Sequence, residues 1–258
     1  MSKRKPDIEV PDNKAVFSLR IVEIRAEEMR EKREVTQVDP DKETGPPIVF
    51  DFIFDASGSM AERYGELADC FNTITIPSLR EAAVQYTNPL RVGCLLFSNE
   101  LVPAWRGFKT LEELGDRPMN AGMFRQPGLG GNTALFRAME SGVEWTAAAM
   151  KLLDPDNAMG KIAVLTDGAN NQEPMSPQGV ANIMGTIQYP KSFKTSIAYF
   201  KTGQGLSYEQ FREMAAATKF EGVEFYEIAP KGNDEEQRRQ FRHHFGIFSK
   251  KQTNAIKG

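Results

Sequence analysis

The chain is poor in the residues that most often advertise chemistry. It holds only two cysteines and two histidines in 258 residues. The two thiols fall in different elements, Cys70 in a helical pattern and Cys94 in a strand pattern, so a disulfide scaffold is excluded and both read as reduced, buried side chains. His243 and His244 are neighbours in the basic stretch RRQFRHHF, which reads as a partly exposed helix end. No segment approaches an uncharged membrane span, and the basic residues of MSKRKPDIEV are not followed by an apolar stretch of signal-peptide length. An excess of positive charge is also missing. With 32 basic residues against 35 acidic and an isoelectric point near 5.6, the chain lacks the broad positive field that sequence-independent nucleic-acid binding requires. These absences favour a soluble, cytoplasmic protein with neither nucleic acid nor membrane as its partner.

What is present is an alternation of apolar runs with helical patterns, the arrangement that joins parallel strands by crossover helices. The run Ile48 to Phe54 (IVFDFIF) is continuous, as expected of a strand covered on both faces. Asp51 interrupts it, and a carboxylate there needs either a partner or a place near the sheet rim. Further strands are expected at Arg91 to Phe97, Ile162 to Thr166, Thr195 to Phe200 and Val223 to Ile228. Leu101 to Trp105 folds back as an edge strand, where Pro103 is tolerated. Helices are expected at Glu62 to Tyr86 with an interruption near Pro77, and at Ala134 to Leu153, Ser176 to Gly185, Tyr208 to Ala217 and Asp234 to Phe245. The fold class is therefore α/β, a doubly wound, mostly parallel, Rossmann-like sheet with one antiparallel edge strand. Residues 1–45 form an N-terminal extension, 46–246 the domain and 247–258 a C-terminal tail. In the extension Phe17, Leu19 and Ile21 alternate like a strand, AEEMREKREV has the composition of a solvated helix, and DPDKETGPP is a linker.

Three separated stretches end or follow these elements with oxygen-bearing side chains: Asp55, Ser57 and Ser59 in FDASGSM, Thr133 in GGNTALF, and Asp167 in VLTDGANN. Hydroxyls and carboxylates suit a small hard cation such as Mg²⁺ or Mn²⁺, which takes about six oxygen ligands and commonly retains waters. Two hydroxyls spaced two apart converge on one ion if Gly58 lets the backbone turn sharply between them. Two carboxylates with otherwise neutral ligands leave a divalent ion able to accept another carboxylate, from the Asp or Glu of a partner. Each stretch alone has a plainer reading: an Asp/Ser/Gly turn, a threonine helix cap, a strand-ending Asp-Gly turn. The constellation carries the inference.

Together the motifs resemble the von Willebrand factor A domain family and its metal-ion-dependent adhesion site, over roughly Pro46 to Phe245. The resemblance implies a doubly wound fold in which Ser57, Ser59 and Thr133 coordinate directly and Asp55 and Asp167 act directly or through water. The phrases RVGCLLFSN, GGNTALFRAM and KIAVLTDGAN look most like small intracellular bacterial members tied to stress resistance and to ATPase or kinase systems, including the tellurium-resistance type. The expected function is a metal-dependent protein-interaction module rather than an enzyme.

Other readings fare less well. The segment Gly58 to Ala61 resembles the nucleophile motif of subtilisin-like proteases, which needs a positioned histidine base. A haloacid-dehalogenase phosphatase would carry aspartate where Ser57 stands. No P-loop or dinucleotide fingerprint occurs, and GLGGNT lacks the spacing and the preceding strand. Metal-assisted hydrolysis by the same ion and a metal-free scaffold are the two alternatives. Met123 and Phe124, close in sequence to Thr133, are candidates for an apolar rim around an acidic ligand.

Overall fold

The computed structural model describes residues 45–86, 89–167, 178, 192–202, 207–228 and 234–254. The strand, helix and linker expected before residue 45 lie outside the described residues, as does the helix expected at Ser176 to Gly185 apart from Gln178.

Strand β1, Ile48–Asp55, is buried at all eight positions because it is paired on both edges and covered on both faces. It runs parallel to β2, Leu90–Phe97, on one side and to β4, Met159–Thr166, on the other. The short β3, Leu101–Pro103, adds antiparallel to β2 and places Pro103 at the edge. Strands β5, Phe193–Thr202, and β6, Gly222–Ile228, continue parallel beyond β4. The order is β3-β2-β1-β4-β5-β6. From β1 the chain winds outward to one side, then returns to the other side of β1 and winds outward again. The switch point falls between β1 and β4, where the carboxyl ends of two neighbouring strands leave a crevice.

The pleat sorts the apolar run of β1 between two cores. Phe50, Phe52 and Phe54 face α1 (Tyr64–Cys70), α2 (Ile76–Tyr86) and α6 (Asp234–Asn254), sharing one core cluster with Phe71, Phe245 and Phe248. Val49 and Ile53 face α4 (Leu135–Leu153) and reach a cluster that includes Phe211 of α5 (Tyr208–Ala217). Each buried phenylalanine contributes roughly 1.5–3 kcal/mol relative to exposure. Asp51 is fully buried at mid-strand, which rules out the rim position. Glycines make its room: a Cβ built on Gly93 would lie 2.9 Å from Asp51 Oδ1.

Strand ends shift by one to three residues from the expectation, and two helical features differ more. The interruption near Pro77 is a π-helical turn at Phe71–Thr75 that leads directly into α2, easing a stretch in which proline has no N–H to donate. Helix α6 continues to Asn254 instead of stopping at Phe245. The buried stripe of Phe241, Phe245 and Phe248 goes on as Ser249, Gln252 and Thr253, whose polarity disguises it. Their groups are matched: Lys161 Nζ donates to the Gln252 carbonyl, Ser196 Oγ to Gln252 Oε1, and Thr75 and Ser249 hydroxyls pair. A short helix unforeseen in the sequence, α3 (Leu111–Asp116), starts at a reciprocal capping box between Thr110 and Glu113. Among the described residues no helix is long and apolar enough to cross a membrane.

Candidate functional site

The switch point collects the oxygen donors. Asp55 ends β1, and the register that pairs Phe54 with Leu165 sets Thr166 beside it. Thr166 Oγ1 donates to Asp55 Oδ2 at 2.6 Å, and the Ser57 N–H donates to Asp55 Oδ1 at 2.8 Å. Ser57 Oγ lies 3.0 Å from Ser59 Oγ, and Ser59 Oγ donates to Asp167 Oδ1 at 2.9 Å. Asp55, Ser57, Ser59 and Asp167 are thus linked through one hydrogen-bonded chain that closes across 108 residues of sequence.

Thr133 is brought alongside by backbone. The Gly58 N–H donates to the Gly131 carbonyl at 3.0 Å and the Gly130 N–H to the Ala56 carbonyl at 2.8 Å, fastening the loop before Thr133 to the loop after β1. Gly58 is needed for this close approach rather than for a sharp turn, since a Cβ there would lie 3.1 Å from the Gly130 carbonyl oxygen. Gly128 and Gly130 are the residues of this loop in the left-handed region, at φ +88° and +85°. Thr133 does not cap α4: the N-cap position belongs to Ala134, and no side chain caps it. Thr133 is instead buried in the loop so fastened, at 2% exposure; Asp55 at 0%, Ser57 at 2% and Asp167 at 5% are buried too, while Ser59 faces solvent.

Residues that the sequence did not mark complete the arrangement. Tyr64 Oη lies 2.7 Å from the Ala56 carbonyl oxygen and 2.8 Å from that of Ser57. Ser98, just past β2, donates from Oγ to the Gly128 carbonyl and accepts the Ala134 N–H on its own carbonyl, while Asn99 Oδ1 accepts the Asn132 N–H. These contacts hold the Thr133 loop from the β2 side. The signal for Thr166, Ser98 and Asn99 is a polar residue at or just past the end of an apolar strand. Phe124 is no rim residue: it is fully buried, stacked on Tyr64 with ring centroids 5.0 Å apart. Met123 is half-buried against the same core cluster. His243 and His244 sit within α6, the latter against Tyr226.

Electrostatically the site lacks positive charge at its base. Burial raises the Asp55 carboxyl above its ordinary value, against hydrogen bonds from the Ser57 hydroxyl, Thr166 and the Ser57 and Asp167 N–H groups. No Lys or Arg pairs with Asp55 among the described residues. A buried carboxylate served only by neutral donors is costly, and a cation is the direct remedy. Burial, then the charges of Asp55 and Asp167, push the Tyr64 hydroxyl up to about 12, with Arg125 acting the other way, so Tyr64 stays a donor. The oxygen spacing also suits a small ion. Ligands at about 2.0–2.1 Å on adjacent corners of an octahedron stand about 3 Å apart, matching the 3.0 and 2.9 Å pairs at Ser59. Among the described residues no three His, Cys, Asp or Glu side chains form a metal cluster; the candidate set is two carboxylates and three hydroxyls, suited to a hard cation.

No protein-family model matches the chain, and no curated protein does. Its likeness is to solved structures. The pilus adhesin SpaC of Lactobacillus rhamnosus GG superposes with a TM-score of 0.53 at 12% identity, over 82% of this chain and 31% of that one. The PilB minor pilin of Streptococcus sanguinis gives 0.51 at 14%, over 83% and 64%. A von Willebrand factor type A protein from Catenulispora acidiphila gives 0.50 at 16%, over 79% and 43%. This chain spans less than two thirds of each of them. At such identities the likeness is one of fold, and the fold is von Willebrand factor A-like: an α/β sheet, mostly parallel, with one antiparallel edge strand and helices on both faces.

Proposed function

We propose that this chain is a metal-dependent protein-interaction module in which Asp55, Ser57, Ser59, Thr133 and Asp167 form a metal-ion-dependent adhesion site for Mg²⁺ or Mn²⁺. The observation that carries the reading is the hydrogen-bonded chain from Asp55 through Ser57 and Ser59 to Asp167 at the sheet's switch point. In it Ser57, Ser59 and Thr133 supply neutral oxygens. Asp55, both of whose oxygens already accept hydrogen bonds, supplies charge from behind, and Asp167 supplies it from the neighbouring strand. The bound ion contributes Lewis acidity toward one more oxygen ligand, here an Asp or Glu of the partner protein. The exposure of Ser59 leaves that approach open. This reading assigns the site no turnover.

A fold neighbour described as a pilus adhesin is in keeping with an interaction role. The phrases around the five residues support a narrower setting: a cytoplasmic bacterial module serving stress resistance, as in the tellurium-resistance type, alongside an ATPase or kinase. The test is affinity capture with Mg²⁺, repeated with chelator and with Asp55→Ala and Asp167→Ala. Capture is expected to be lost in all three while the far-ultraviolet circular dichroism of the variants stays that of the wild type. Capture indifferent to chelator and to both substitutions would reject the reading.

A further inference from the structure

A cation, Arg125, stands beside this site among the described residues. Arg125 ends the 3-10 turn Ala121–Arg125, and the backbone on both sides of it is fastened. Asn120 Oδ1 accepts the Gly122 N–H at the start of the turn, and Gln126 Nε2 donates to the Met123 carbonyl after it. Phe124 is the anchor, fully buried and stacked at an 18° interplanar angle on the ring of Tyr64. The hydroxyl of that same tyrosine holds the carbonyls of Ala56 and Ser57. A few residues on, Gly130 and Gly131 bond directly to the loop that carries the two serines. Arg125 is therefore placed by the ring that braces the site, yet its own side chain is exposed and makes no ion pair among the described residues. Tyr64 feels the charges of Asp55, Asp167 and Arg125 together.

The charge balance gives this residue its role. Asp55 and Asp167 offset the two charges of a divalent ion, so the field met by an incoming ligand is set by the rim. Among the described residues two exposed carboxylates lie in the loops there: Glu62 in the turn after the serines and Glu100 beyond β2, packed against Gly128. Both oppose an acidic ligand, whereas an exposed guanidinium offers a planar fork for a second carboxylate.

We propose that Arg125 selects the partner of this site, favouring a segment that presents a second acidic group beside the metal-bound carboxylate. The inference rests on the metal-dependent reading above. It concerns the sequence of the partner segment, an acidic cluster rather than a lone Asp or Glu.

The test uses the full chain loaded with Mn²⁺ and two fluorescent pentapeptides, one with a single Glu flanked by serines and one with three consecutive Glu. The wild type is expected to prefer the triacidic peptide. Arg125→Ala is expected to weaken that peptide by roughly threefold to tenfold and to leave the single-Glu peptide within about twofold, with Arg125→Lys intermediate because it keeps charge and loses the fork. Mn²⁺ uptake without peptide, measured by calorimetry, is expected to be the same in all three proteins. Wild-type preference retained in Arg125→Ala would overturn the inference alone. A wild type that takes up no Mn²⁺, or binds neither peptide in a Mn²⁺-dependent way, would overturn the metal reading and this inference with it.

Discussion

Asp55 is a buried carboxylate surrounded by hydroxyls and amides rather than by cations, and the other site residues are arranged around that fact. Thr166 contributes through its 2.6 Å hydrogen bond to Oδ2, which fixes the orientation of the carboxyl group. Thr166→Val keeps the shape and removes the donor. It is expected to weaken Mn²⁺ binding about 10- to 100-fold, as loss of a group that orients a metal ligand does, with unchanged circular dichroism; unchanged affinity by calorimetry would remove Thr166 from the account. Gly58→Ala tests the joint between the two loops. Its Cβ would stand 3.1 Å from the Gly130 carbonyl oxygen, whereas a Cβ on the exposed Gly65 meets nothing within 4 Å. Gly58→Ala is expected to cost about 1 kcal/mol in urea unfolding and to weaken Mn²⁺, and Gly65→Ala to be neutral or mildly stabilising. Equal behaviour of the two would contradict the close-approach reading. At this scale four of the candidate donors stand out in the sequence because they close or closely follow an apolar run, and Thr133 because it stands between a glycine-rich loop and a helix. Tyr64 was not, since nothing in its neighbours signals that its hydroxyl reaches back to the carbonyls of Ala56 and Ser57.

Among the elements, the strands were the most legible, because coverage on both faces writes itself as an unbroken apolar run such as IVFDFIF. The end of α6 was hidden for the opposite reason: its last turn is docked by Ser249 and Gln252 rather than by apolar side chains. The capping box of α3 was present as Thr110 and Glu113, but its helix is one of six residues and carries little periodicity. The docking of α6 makes a pH-dependent prediction. Lys161 lies beneath its last turn, over the Phe50 ring, with Lys194 and Glu224 nearby. Burial, reinforced by Lys194, lowers its pKa from 10.5 to about 7 against the pull of Glu224. Between those values the unfolded chain holds this proton and the folded chain does not, so this group makes stability rise with pH across that window. Above it both states are neutral at this site, and below it both are charged. Lys161→Met is expected to remove this contribution, so that the wild-type minus variant difference in urea-unfolding free energy slopes upward from pH 7 to 10. A difference that is flat over that range would show that Lys161 keeps an ordinary pKa.

For the whole molecule, one topological event brings the candidate ligands together. Reversal of winding at β1 puts the ends of β1 and β4 side by side, so residues from three distant stretches meet at a single crevice, with Thr133 delivered by the loop that precedes α4. The sequence order of the motifs anticipated this meeting, but the bracing by Ser98, Asn99 and the Tyr64–Phe124 stack became visible only with the loops in place. β1 and β4 are the two central strands of the sheet, so the candidate donors at their ends rest on strands paired on both sides, the kind of support a preorganised site calls for. The central claim is that one divalent ion sits among these oxygens. Anomalous diffraction from crystals of the full chain soaked in Mn²⁺ tests it most directly. The account predicts a single strong peak between the Ser57 and Ser59 hydroxyls, within ligand distance of Thr133 or Asp167; no peak there at saturating Mn²⁺, or a peak held by other residues, would contradict it.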